Sequence, residues 1–75
     1  MAEVNTSRGK QSVRLYQGSA FIALGDALSL VSDETELAGI EIVTVLGWGQ
    51  CVRRADLVST LQGAYPALAA KLNQL

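Results

Sequence analysis

Apolar and polar positions alternate in Ser12–Tyr16, with Val13 and Leu15 on one side and Arg14 and Tyr16 on the other. That is the period of a strand. Gln17-Gly18 breaks it, and Ser19 then stands where a helix N-cap is expected. Phe21, Leu24, Leu28 and Val31 follow at steps of three or four, and Ile22, Ala27 and Leu30 widen the stripe. The spacing predicts an amphipathic helix to about Ser32. Gly25 weakens that helix by roughly 1 kcal/mol relative to Ala, or allows it to approach a sheet closely. "SDETELAG", Ser32 to Gly39, reads as an acidic connection. "IEIVTVL", Ile40 to Leu46, is β-branched and apolar on both faces beyond Glu41, which predicts a central strand covered on both sides. Gly47-Trp48-Gly49 is a turn. Val52, Ala55, Val58 (with Leu57) and Leu61 restore helical spacing, and Gly63 is a helix stop. Pro66 fits the first turn of a further short helix, rich in Ala and Leu. The polar stretch Met1–Gln11 reads as a flexible arm. No internal repeat shows in the sequence.

The predicted order is strand, helix, strand, helix and a short C-terminal helix. It describes one small α/β domain over residues 12–75, preceded by an arm over residues 1–11. Two strands make a poor sheet alone, so a covering helix or a neighbour is needed. Apolar residues are 49% of the 75, and mean hydropathy is +0.26. So small a chain cannot hide them all, which points to a dimer or to a partner subunit.

Six basic and seven acidic residues give a net charge of −1, against the usual balance of a free-standing nucleic-acid binder. The charge is nevertheless segregated. Arg8, Lys10 and Arg14 come early, Arg53 and Arg54 follow the glycine turn, and the acids cluster in "SDETE". One cysteine, Cys51, excludes an internal disulfide, and the absence of histidine excludes His-based catalysis and an ordinary zinc site. No metal or other cofactor is expected. The chain has neither a membrane-length apolar run nor a hydrophobic signal core, so it reads as cytoplasmic or nuclear and not secreted.

The stretch "GIEIVTVLGWGQCVRRADLVSTLQ" resembles the second strand, glycine turn and second helix of Alba-type chromatin and RNA-binding proteins. "SVRLYQGSAFIALGDALSLV" is similar to that family's first strand and helix. Either Gly47 or Gly49 could take the family's glycine, and "VLG" favours Gly47. The resemblance covers about Ser12 to Gln62. It implies an Alba-like two-layer βαβα domain, dimeric or hetero-oligomeric, that binds DNA or RNA. Two departures stand out. The loop that carries the family's lysines is Gln17-Gly18-Ser19 here, and the strands that follow the family's second helix are replaced by Ala- and Leu-rich sequence.

The leading expectation is therefore non-catalytic nucleic-acid binding through the phosphate backbone, using Arg14, Trp48, Gln50, Arg53, Arg54, Arg8 and Lys10. An exposed Trp48 could stack on a base, although packing on a core or subunit is the commoner fate of tryptophan. Arg53 and Arg54 oppose the helix dipole in a first turn, so an external anion, Asp56, Glu41 or solvent must answer them. "GWGQCV" completes neither a phosphate-loop nor a dinucleotide motif, since position 52 is Val. Cys51 has no histidine to act as its base, and a buried structural thiol is the simpler reading. The alternative function is an interaction module that pairs through apolar surface with a partner subunit.

Overall fold

The computed structural model describes residues 1–75. Six strands and three helices form: β1 Ala2–Thr6, β2 Gly9–Val13, β3 Leu15–Tyr16, β4 Phe21–Ala23, α1 Leu24–Leu28, β5 Ile42–Val45, β6 Gly49–Arg53, α2 Arg54–Leu61 and α3 Pro66–Asn73. A 3-10 turn, Glu34–Leu37, links α1 to β5. The result is a small domain of mixed strands and helices, as the hydrophobic pattern implies. The order of elements is not the expected βαβα, because a hairpin precedes each of the first two helices.

One hairpin is β1–β2, with Ala2 opposite Val13 and Thr6 opposite Gly9. The other four strands form an antiparallel sheet in the order β3-β4-β6-β5. Residues directly opposite each other in antiparallel strands share a face. Ile22 lies opposite both Leu15 and Val52, and Val52 opposite Ile42. That row faces the helices, since Ile22 and Val52 are fully buried in the main core with Ala27, Leu57, Leu61 and Leu72. The row Ala23, Cys51, Val43 faces the other way.

The polar segment read as an arm is instead the hairpin β1–β2. Its polar residues lie on the outer face and the turn, while Val4 and Val13 are buried in the core. Gly9, at φ +97°, lets the turn close. Arg8 ties that turn to the end of α1 by donating to the carbonyls of Ser29 and Val31, the latter at 2.7 Å.

Three further expectations are corrected. Ser19 does not cap a helix: it has φ +72° in the loop of the β3–β4 hairpin, and α1 begins only at Leu24. Phe21–Ala23 instead pairs with β3 on one side and β6 on the other. Ile40–Leu46 does not form a central strand: β5 is an edge of the sheet, with Ile42 half exposed. Gln50–Arg53, expected as the start of a helix, completes β6, and α2 follows without an intervening loop. The short C-terminal helix forms as expected, with Pro66 in its first turn.

A repeat is visible in the fold where none was visible in the sequence. Hairpin β3–β4 runs straight into α1, and hairpin β5–β6 runs straight into α2. The extended residues Ala23 and Arg53 stand at the two junctions, and Asp26 and Asp56 occupy the two first turns. β4 pairs with β6 antiparallel about Ile22 and Val52, so the two units meet near a local two-fold axis. The equivalent residues are mostly similar in character rather than identical.

Candidate functional site

Of the seven residues expected to contact nucleic acid, the four arginines are engaged by carboxylates or carbonyls of the same chain. Arg14 bonds Asp26 at 2.9 Å, and its own backbone N–H donates to the same carboxylate at 2.8 Å. Arg53 bonds Glu41 at 2.8 Å and lies 3.6 Å from Asp56. These hydrogen bonds raise the pKa of both guanidinium groups above the ordinary arginine range. Arg54 donates to the carbonyls of Ser19 at 2.7 Å and of Leu72 and Asn73 at 3.2 Å. It thus serves carbonyls at the C-terminal end of α3, where that of Leu72 also accepts from the Leu75 N–H at 3.3 Å. Arg8 does the same for the end of α1.

The residues do not converge. Arg53 is at one end of β6 and Trp48 precedes the other. Arg8 belongs to the β1–β2 turn, and Arg54 reaches towards α3. Lys10 and Lys71 are the two side-chain cations that form no ion pair and no hydrogen bond to a carbonyl, and they sit on β2 and α3. Gln50 is exposed on β6 opposite Thr44.

Trp48 stacks on Tyr16 with ring centroids 4.6 Å apart and planes 16° from parallel. Tyr16 lies opposite Phe21, one residue out of step with Leu15 and Ile22, so it is on the face away from the helices. The stacked pair therefore belongs to that outer face, where Ala23, Val45 and Cys51 are buried outside the main core. Burial there pushes the Cys51 thiol up in pKa, and the nearby Arg14 charge opposes the shift. A raised pKa suits an inert structural thiol better than a nucleophile.

A different group of residues gathers at the β5 edge. Leu46 is 97% exposed, Trp48 56% and Ile42 50%. Next to the edge, on the helix face, a groove of about 310 Å³ is lined mainly by Leu24, Leu28, Leu37, Ile40 and Ile42. Glu34 and Thr35 contribute to its lining. The sequence signal for this group is the apolar run Ile42 to Leu46, broken only by Thr44, which reads as a covered strand.

No three His, Cys, Asp or Glu side chains are arranged to hold a metal ion. No helix is long and apolar enough to cross a membrane. No protein-family model, no curated protein and no solved structure matches the chain.

Proposed function

We propose that this chain is a non-catalytic assembly module that associates with a protein partner through the apolar surface around β5. The observation that carries the reading is a pairing of opposites. All four arginines bond internal carboxylates or carbonyls, while Ile42, Leu46 and Trp48 are left in solvent beside an unpaired strand edge. Phosphate binding by these arginines would compete with the carboxylates and carbonyls they already bond. Association through apolar side chains breaks nothing. Exposed strand edges are ready templates for pairing with another chain, and small domains normally guard them with charge, proline or bulges. β5, "IVTV", has none of these.

The test uses Trp48, the single tryptophan. Its fluorescence is titrated with single-stranded RNA and with duplex DNA at low salt, and hydrodynamic mass is followed as protein concentration rises. The assembly reading expects no saturable response to nucleic acid. Saturable quenching that weakens steeply with salt and disappears in Arg14→Ala or Arg53→Ala would replace it with nucleic-acid binding.

A further inference from the structure

We infer that the partner offers this surface a basic, aliphatic segment of another protein, with an aliphatic side chain seated in the groove beside β5 and lysine or arginine on either side of it. The inference rests on the assembly reading above and specifies the chemistry of its partner.

The groove and the strand edge meet at one residue. Ile42 belongs to β5, the edge of the sheet, and lines the groove with Leu24, Leu28, Leu37 and Ile40. It lies opposite the buried Val52, on the helix face. A segment that pairs with β5 through its backbone must put the residue opposite Ile42 on that same face. An aliphatic side chain there enters the groove, which has a volume of about 310 Å³.

Charge restricts what else the segment carries. Glu34 lines the groove, and Asp33 and Glu36 flank it in the turn. Ile40 also lines a neighbouring hollow with Glu41 and Asp56, so acids stand on both sides of Ile40. Arg53 is the one cation paired among them, with Glu41 and Asp56. Five acids against one arginine leave this side of the molecule at −4, and since the whole chain is −1 the rest is +3. Glu34 has no ion-pair partner, so a cation from outside meets it without displacing another. A net field of one sign attracts the opposite charge and repels its own. It also argues against a second copy as occupant, because a two-fold pairing would set the two acidic sides against each other.

The probe is a short synthetic peptide with a valine–threonine–valine centre flanked by lysines, compared with the same peptide carrying glutamates in their place. Binding to the full chain is followed by anisotropy of the labelled peptide, and the site by amide hydrogen exchange. The lysine peptide should bind about tenfold more tightly at low salt, the combined effect of a few exposed charge pairs. The preference should collapse near 1 M salt, where the screening length falls to about 3 Å. Exchange should slow within Ile42–Val45. Glu34→Lys should weaken the lysine peptide up to about fivefold and Glu34→Gln less. Glu3→Lys makes the same change of net charge on β1 and should leave binding unchanged. An equal loss in Glu3→Lys would overturn the local role of the groove acids. Equal binding of the two peptides would overturn the charge selection and leave the assembly reading standing. No saturable binding of the lysine peptide, or no protection along β5, overturns the basic segment as occupant. So does a dimer of the chain alone that protects the same amides, which puts a second copy there. The assembly reading has its separate test in the nucleic-acid titration.

Discussion

Arginine is the residue on which the two functional readings divide. Arg54 makes three bonds to carbonyls, two of them part-buried. Removing the donor leaves the Ser19 and Asn73 carbonyls to find water or remain unpaired, and that of Leu72 with only the Leu75 N–H, at a cost of about 1–3 kcal/mol. Arg54→Ala should lower the urea midpoint accordingly, and Arg54→Lys should recover only part, because a single ammonium nitrogen cannot stand at both the Nε and the Nη1 positions from which the guanidinium donates. Native stability in Arg54→Ala would mean that these bonds are not what the arginine is for. Arg14 and Arg53 differ, since their side chains are 54% and 43% exposed and exposed ion pairs contribute little. Cys51 gives a second residue-level prediction. Its folded pKa lies above its unfolded value, so the folded state holds the thiol proton more tightly. Its contribution to stability is whole below the unfolded thiol pKa and is lost as pH rises through the folded one. Stability should therefore fall on the alkaline side of the ordinary thiol range, and Cys51→Ala should flatten that fall. The thiol should react with a disulfide reagent only at the rate of opening. Rapid labelling under native conditions would contradict its burial.

At the level of elements, the N-terminal hairpin carries more of the fold than its polar composition suggests. Val4 is 1% exposed and Val13 is fully buried, and both belong to the main core. Val4→Ala should cost on the order of 2 kcal/mol, the usual penalty for removing buried methyl groups. A truly flexible arm would lose nothing, so chemical denaturation separates the two. Gly47 sits at φ +85° in the β5–β6 turn, where Trp48 N–H closes on the Val45 carbonyl at 2.9 Å. Gly47→Ala should cost on the order of 1 kcal/mol through its backbone alone, since nothing stands near a Cβ there. The pattern of apolar positions gave the helical character of Arg54–Leu61 and Pro66–Asn73 and the strand character of Ile42–Val45. It missed the two places where a strand passes into a helix without a loop. Phe21 and Ile22 fit a helical stripe with Leu24 and Leu28, yet the chain turns at Ala23 because Phe21–Ala23 is bonded between β3 and β6. Val52 is caught in the same way. Spacing alone cannot register a junction whose buried residues satisfy both periods at once. The duplicated hairpin–helix unit was hidden for a related reason: Ile22 and Val52, or Ala27 and Leu57, are equivalent in burial but not in identity.

For the molecule as a whole, the two faces of the sheet are unequal. The helix face holds a cluster of 14 buried residues, whereas the outer face has Ala23, Val45 and Cys51 beneath the Tyr16–Trp48 stack. The candidate site was only half legible in the sequence. Trp48 stands out in the sequence, and Glu41 and Asp56 are legible there as answers to the arginines that follow it; Arg53 meets both. The carbonyl partners of Arg54 are not legible, because Ser19 lies 35 positions away and Leu72 lies 18. The unpaired edge could not be foreseen either, because strand order is a property of the assembled sheet. A domain of this size is only modestly stabilised by its own burial, so anything that binds the folded state should raise its stability by mass action. If a lysine-flanked segment seats beside β5, the thermal midpoint should climb with the concentration of the peptide. Glu34→Lys should blunt that climb while leaving the midpoint without peptide nearly unchanged, since Glu34 has no ion-pair partner in the single chain. Calorimetry over a wide range of peptide concentrations measures both. A midpoint lowered equally at all concentrations would show instead that Glu34 supports the fold of the single chain, and a native midpoint independent of peptide would remove the groove as a source of added stability.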